Sequence, residues 1–162
     1  MHEFEIVTLA RIVHVLAVII WIGGVGLVTL VLIPAIQKLK SKNEQITTFE
    51  QIERRFASIA KIMTLLTALT GFYMLFELNA WDRYLEVRYW WIHAMTLIWV
   101  IFTVVLFILE PLVLHQLFHK YAEKNPERTF KTLHKLHVIL LILSLITTAG
   151  AVAGSHGWFW IR

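Results

Sequence analysis

The stretch RIVHVLAVIIWIGGVGLVTLVLIPAI, residues 11–36, carries no charged residue after Arg11. A transmembrane helix needs roughly 20 mostly apolar residues, so this stretch is long enough to cross a bilayer. Three further segments, 62–76, 89–109 and 136–161, are almost free of charge. The first of these becomes long enough at 56–78 if Lys61 extends its amine toward the lipid headgroups. The sequence therefore predicts an all-α integral membrane protein.

The composition agrees with a single membrane domain. The chain has 162 residues, of which 58% are hydrophobic, and its mean hydropathy is +0.68. That apolar share exceeds the share usual in soluble domains, and none of the predicted helices has a charged face along its middle. The chain contains no cysteine, which excludes disulfides and thiolate ligands. We predict one domain, 1–162, with transmembrane helices at about 6–36, 56–78, 88–115 and 132–158, forming an up-down-up-down four-helix bundle.

The positions of lysine and arginine predict the orientation of this bundle. The first and third loops carry most of these residues, whereas the second loop carries only Arg83 and Arg88. Because basic loops stay in the cytoplasm, we expect both termini on the non-cytoplasmic side of the inner (plasma) membrane. The formal charge of +4 comes from these loops and does not indicate nucleic-acid binding. The lipid bilayer is the predicted partner, and homo-oligomerisation is left open.

Several helix boundaries are legible in the sequence. Thr47 and Glu50 form a predicted capping box that would begin the second helix. Asn125 followed by Pro126 predicts the start of the fourth helix. Pro34 and a second proline, Pro111, come near the ends of helices one and three, where a kink or a stop is tolerated. The second and fourth helices are therefore expected to begin before they enter the bilayer.

Two histidines fall at matched depth on different helices. His14 enters the membrane on helix one, and His93 enters from the same side on helix three. Two imidazoles at one depth in a bundle are suited to bind a heme between them as axial ligands of its iron. Each of them can also be an ordinary polar residue near a helix end. The pair is the candidate heme-iron site.

Four neighbouring residues complete the candidate cofactor site. Trp21 shares the face of His14, and Gly24 narrows the same helix. Arg11 and Arg88, near the two histidines, are predicted partners for heme propionates. The alternative interpretation is that the tryptophan only packs and that the glycine only permits helix–helix contact.

A second group of histidines lies near the opposite membrane surface. His115 and His119 are spaced i, i+4, and His134 and His137 are spaced i, i+3, so each pair shares a helix face. Four imidazoles at one surface predict, as a less favoured hypothesis, copper, zinc or a second heme. Glu110 ends the uncharged run of helix three. It suggests a proton or cation role, or alternatively an ion pair with a lysine at the rim such as Lys61 or Lys135.

Two stretches resemble a known superfamily. The segment HVLAVIIWIGG at 14–24, followed by Pro34, resembles the first helix of copper-resistance D (CopD-type) proteins and of HemJ-type protoporphyrinogen oxidases. The segment WWIHA at 90–94 is similar to a Trp-x-His segment in the third helix of the HemJ-type proteins. Residues 67–71 are similar to a threonine–glycine segment of their second helix. Ala35 and Met95 depart from the HemJ-type pattern, which has arginine and lysine at these positions.

The resemblance implies heme b at His14 and His93. The first hypothesis is therefore a membrane b-type cytochrome, a heme-dependent oxidoreductase that exchanges electrons with quinone or a redox partner protein. The second is a copper-handling or other metal-handling membrane protein of the CopD type. The third is a HemJ-like protoporphyrinogen oxidase. The fourth is a cofactor-free subunit of a larger membrane complex.

Overall fold

The computed structural model describes residues 2–159, with side chains for all of these except 2, 3, 113–117, 119 and 123. The described residues form helices and short connections and contain no strand. The elements are α1 (His2–Leu27), α2 (Ile33–Ile36), α3 (Lys42–Glu77), α4 (Trp90–Thr103), α5 (His115–Lys124) and α6 (Pro126–Ser155). Two short 3₁₀ turns, Trp81–Leu85 and Val87–Tyr89, connect α3 to α4. The predicted all-α class is confirmed.

Four continuous helical stretches are long and apolar enough to cross a membrane. They are Phe4–Ile36, Lys42–Glu77, Val87–Leu112 and Pro126–Ser155. Their outward surfaces carry large apolar side chains, and Leu16, Ile19 and Leu30 of the first stretch are all at least half exposed. Exposed apolar surface of this extent is expected where lipid surrounds the helices. The length and composition of these stretches are those of a multi-pass membrane protein.

Two helix starts can be compared with the prediction. Asn125 accepts a hydrogen bond from the Arg128 amide at 3.1 Å, so the predicted start of α6 is confirmed. The predicted cap at Thr47 is wrong, because the cap of α3 is Ser41, six residues earlier, and the helix begins at Lys42. The Thr47 hydroxyl lies within the helix and donates to the Asn43 carbonyl at 2.8 Å. The preceding turn ends at Ser41, which offers an equally good capping side chain.

Both membrane prolines lie next to a widened helical turn. A π-helical segment, Val28–Leu32, comes just before Pro34, and a longer one, Val104–Leu114, contains Pro111. Proline removes a backbone donor and its ring crowds the carbonyl four residues earlier, so an α-helix cannot continue unchanged through it. Widening the turn relieves that crowding without breaking the helix. The helix continues through Pro111, whereas the first helical stretch ends at Ile36, two residues after Pro34.

The interior of the bundle has two apolar clusters. The larger surrounds Trp21 and includes Val25, Ala60, Phe102 and Leu141. The second lies where α2, α3 and α6 meet, and its members are Val28, Ile33, Ile36, Phe49 and Phe130. Helix α1 packs mainly against α3, and α4 packs mainly against α6. These two pairs position the candidate site residues described next.

Candidate functional site

His14 is held against α3 by a chain of hydrogen bonds. Its Nδ1 lies 3.0 Å from the Thr70 hydroxyl oxygen. That hydroxyl donates its own hydrogen to the Leu66 carbonyl at 2.6 Å. A hydroxyl has one hydrogen, so toward His14 the Thr70 oxygen acts as an acceptor. In the neutral ring Nδ1 therefore carries the hydrogen and Nε2 carries the lone pair.

This arrangement is the one that an imidazole ligand needs. Histidines that bind metals usually donate the hydrogen of the non-ligating nitrogen to an oxygen, which fixes both the tautomer and the ring orientation. Thr70 provides that oxygen for His14. In the neutral ring the lone pair of this predicted ligand is thus on Nε2, inside the span of α1. In the sequence Thr70 stands out only as a member of the segment 67–71, because the spacing between two helices is not visible there.

Gly71 lets α3 approach the His14 ring. A Cβ at Gly71 would lie 3.2 Å from His14 Cε1, which is tighter than ordinary van der Waals contact. Any side chain at position 71 would therefore crowd the His14 ring. A glycine directly after the hydrogen-bonding threonine is the local signal for this site.

His93 has a different environment. Its side chain is exposed, and Nε2 donates to the Tyr84 carbonyl at 2.9 Å. The Tyr84 ring lies edge-on at 5.3 Å, and its hydroxyl is 2.7 Å from the Thr96 hydroxyl. Because a carbonyl only accepts, the hydrogen of the neutral His93 ring is on Nε2 and the lone pair is on Nδ1. His14 and His93 are thus bonded to separate elements, α3 and the Trp81–Leu85 turn.

Trp21 and Gly24 belong to the interior contacts of the bundle. Trp21 is 3% exposed and meets Phe102 edge-on at 4.9 Å between ring centroids. Its Nε1 is buried and has no hydrogen-bond partner among the described residues. A Cβ at Gly24 would lie 2.1 Å from the Phe56 ring, so the absence of a side chain at Gly24 allows this ring to pack against α1. The orphaned indole N–H requires an explanation because buried donors are nearly always paired.

The two arginines near the histidines differ in what they contact. Arg11 is exposed. Arg88 pairs with Glu86 at 2.5 Å, and its guanidinium lies 5.0 Å from the centre of the Tyr89 ring. An arginine that is already paired must exchange its partner before it can bind a propionate. Of the two, Arg11 has the more accessible cation.

The histidines at the other end of the helices are described only in part. His137 Nδ1 donates to the Leu133 carbonyl at 2.9 Å, which leaves Nε2 with the lone pair in the neutral ring. His134 is half-buried. The side chains of His115 and His119 lie outside the described residues, so the prediction that all four bind copper or zinc stays a prediction. Among the side chains that are described, no three metal-binding groups come together.

Glu110 forms an ion pair with Lys61. The Nζ and Oε2 atoms are 2.7 Å apart, and the side chains are 30% and 21% exposed. The sequence left open whether Glu110 has a proton or cation role or pairs with a lysine at the rim, and the structure contains the pair with Lys61. The pair joins α3 to the π-helical segment that contains Pro111. Two full charges in a mostly apolar setting stabilise one another strongly only while both are present.

Comparisons were made with family models, curated proteins and solved structures, and none of them matches this chain.

Proposed function

We propose that the protein is a membrane-embedded heme b protein of the electron-transfer class, with His14 as one axial ligand and His93 as the second. The observation that carries the proposal is the hydrogen-bond chain from Leu66 through Thr70 to His14. It puts the lone pair of the neutral His14 ring on Nε2 and holds the ring against α3, as for an axial imidazole. Heme would supply one-electron redox chemistry within the membrane.

The residues present fit this group unequally. His14 meets the requirement as it stands, whereas His93 must give up its bond to the Tyr84 carbonyl before Nε2 can act as a ligand. The unpaired Nε1 of Trp21 is a donor that a polar cofactor atom or a water molecule would satisfy. Exposed Arg11 is available to pair with a carboxylate at the rim. We therefore regard His14 as the primary ligand.

The remaining residues of the chain would hold and shield the ring. Thr70 orients the imidazole, and Gly71 allows α3 to lie directly against it. The apolar side chains of the spans exclude water, which favours electron exchange with a quinone or a redox partner protein within or beside the bilayer. The resemblance to CopD-type and HemJ-type helices supports the same cofactor.

We also propose that the bundle is up-down-up-down in the inner (plasma) membrane, with both termini on the non-cytoplasmic side. The basic loops support this orientation. The contacts of His14 with Thr70 and of Gly24 with Phe56 support opposite directions for the first two spans. Because the chain lacks cysteine, single cysteines placed at residues 40 and 85 can be labelled from one side of intact cells or vesicles. Labelling of both positions from the same side would contradict this topology.

The heme proposal is tested by one spectrum and two variants. Purified protein should show a Soret band, and a sharp α-band should appear on reduction. His14→Ala should abolish both bands. His156→Ala is a matched control because His156 is an exposed histidine whose Nδ1 bonds its own helix at Val152. Colourless wild-type protein that also fails to take up added hemin, or equal loss of the bands in the two variants, would refute the proposal.

A further inference from the structure

Met95 lies on the inward face of α4, whereas His93 lies on its outward face. Trp91, Ile98 and Phe102 of this helix are buried in the bundle. At about 100° per residue, position 95 falls among these three on the helix surface, and position 93 falls on the opposite side. The exposures agree, because Met95 is half-buried and His93 is exposed. The side chain that this part of α4 turns toward the interior is therefore a thioether and not the imidazole.

The contacts with α3 indicate that α1 and α4 run in the same direction. Helix α1 runs opposite to α3, as described above. On α4, Trp99 Nε1 donates to the Thr64 carbonyl at 3.1 Å. Glu110, later in the chain, pairs with Lys61, which is earlier in α3, so α4 also runs opposite to α3. Two helices that are each antiparallel to a third are parallel to one another.

His14 and Met95 lie at the same level of the bundle. The rings of Trp21 and Phe102 meet edge-on at 4.9 Å between centroids and so join α1 to α4. His14 comes seven residues before Trp21. Met95 likewise comes seven residues before Phe102. Seven residues are nearly two turns and about 10.5 Å of helix, so both side chains return to the face that makes the ring contact.

The packing at this level is less tight than at the ring contact. Trp21 and Phe102 are 3% and 6% exposed, whereas His14 and Met95 are both half-buried. The two half-buried side chains lie on helix faces whose neighbouring residues, Ala17 and Ile98, are buried. Part of the imidazole and part of the thioether therefore remain available to a bound group.

We propose that Met95 is the second axial ligand of a heme held by His14, and that His93 stays bonded to the Tyr84 carbonyl. Methionine and histidine together are an established axial pair for heme iron. For His93 to reach the interior, α4 would have to turn by nearly half a revolution, and the bond to Tyr84 would be lost. This inference rests on the proposed heme function and replaces only the second ligand named there.

The test uses the heme-loaded full chain in its reduced state, with ¹³C in the methionine methyl groups. A methyl group bound directly above the porphyrin is shifted far upfield by the ring current, so one methionine signal should move away from the others on heme binding. Met95→Leu should remove that signal, lose the sharp α-band and open the iron to added imidazole. Met63→Leu is the matched control, because Met63 is also half-buried but packs against the Trp21 cluster from α3.

Two further variants separate the candidate ligands. His93→Ala should keep both the sharp α-band and the shifted methyl signal. Met95→His restores two axial ligands, so it should keep the sharp α-band and lower the midpoint potential, since an axial methionine raises that potential. Thermal unfolding followed by tryptophan fluorescence establishes that each variant is folded before heme is added.

The outcomes distinguish this inference from the proposal on which it rests. A heme spectrum that is lost in His14→Ala but unchanged in Met95→Leu would overturn the assignment of Met95 and leave heme binding at His14 intact. Loss of the sharp α-band in His93→Ala would overturn it in favour of His93. Wild-type protein that binds no heme would refute the heme proposal, and this inference with it.

Discussion

The tautomer of His14 should respond to the loss of the Thr70 hydroxyl. Thr70→Val removes an acceptor for Nδ1–H while keeping the shape and volume of the side chain nearly unchanged. A hydrogen bond of this kind contributes about 1 kcal/mol net, so its loss should move the tautomer ratio about fivefold away from Nδ1–H. The Thr70 hydroxyl also donates to the Leu66 carbonyl of its own helix. Valine has no hydroxyl to be left without a partner, so α3 should remain intact.

The assay is the ¹⁵N spectrum of heme-free protein labelled at its histidines, with the His14 signals assigned by comparison with His14→Ala. Wild-type protein should show hydrogen on Nδ1 and a lone pair on Nε2. Thr64→Val is the matched control, because Thr64 is fully buried in the same helix and its hydroxyl donates to the Ala60 carbonyl, with no bond to a histidine among the described residues. This control should leave the His14 signals unchanged.

The same variant has an expected effect on cofactor binding. Loss of a hydrogen-bond partner behind a ligand typically weakens metal affinity by about 10- to 100-fold, so hemin affinity should fall to that extent in Thr70→Val. The reasoning would be refuted by hydrogen on Nε2 of His14 in the wild-type spectrum, or by no spectral change in Thr70→Val. A changed tautomer with unchanged hemin affinity would confirm the hydrogen bond between Thr70 and His14 but contradict its role in heme binding.

Two further predictions concern the packing of the bundle and can be read from thermal unfolding in detergent. Gly154→Ala should destabilise the protein by about 1–3 kcal/mol, because the new Cβ would lie 2.2 Å from the buried Trp91 ring. In the control, Gly23→Ala, the new Cβ meets nothing within 4 Å, so stability should not change. Equal effects of the two substitutions would contradict this packing. Lys61→Met should destabilise the protein by about 1–2 kcal/mol, a figure discounted for the partial exposure of the pair, because it leaves the Glu110 carboxylate unpaired. Adding Glu110→Gln to Lys61→Met should restore most of the lost stability. No recovery in the double variant would show that the ion pair is unimportant.

The secondary structure was predictable wherever the physical signal was local. A run such as 11–36 must satisfy its own backbone groups in lipid, and only a helix can do so within one segment. The cap at Asn125 and the helix start at Pro126 were predictable for the same reason, because the capping bonds join neighbours in sequence. The start of α3 was not, since Ser41 and Thr47 offer similar side chains and only the path of the preceding turn selects between them.

Four helices that are long and apolar enough to cross a membrane, with His14 in the first, were predictable from the amino-acid sequence. The histidines were candidates from their chemistry alone. What each histidine contacts depends on the fold: His14 lies against Thr70 and Gly71 of α3, while His93 bonds the Tyr84 carbonyl. The physical reason is that spacing along one helix defines a face, whereas the rotation and approach of two helices depend on side chains packed between them, as at Gly24 and Phe56.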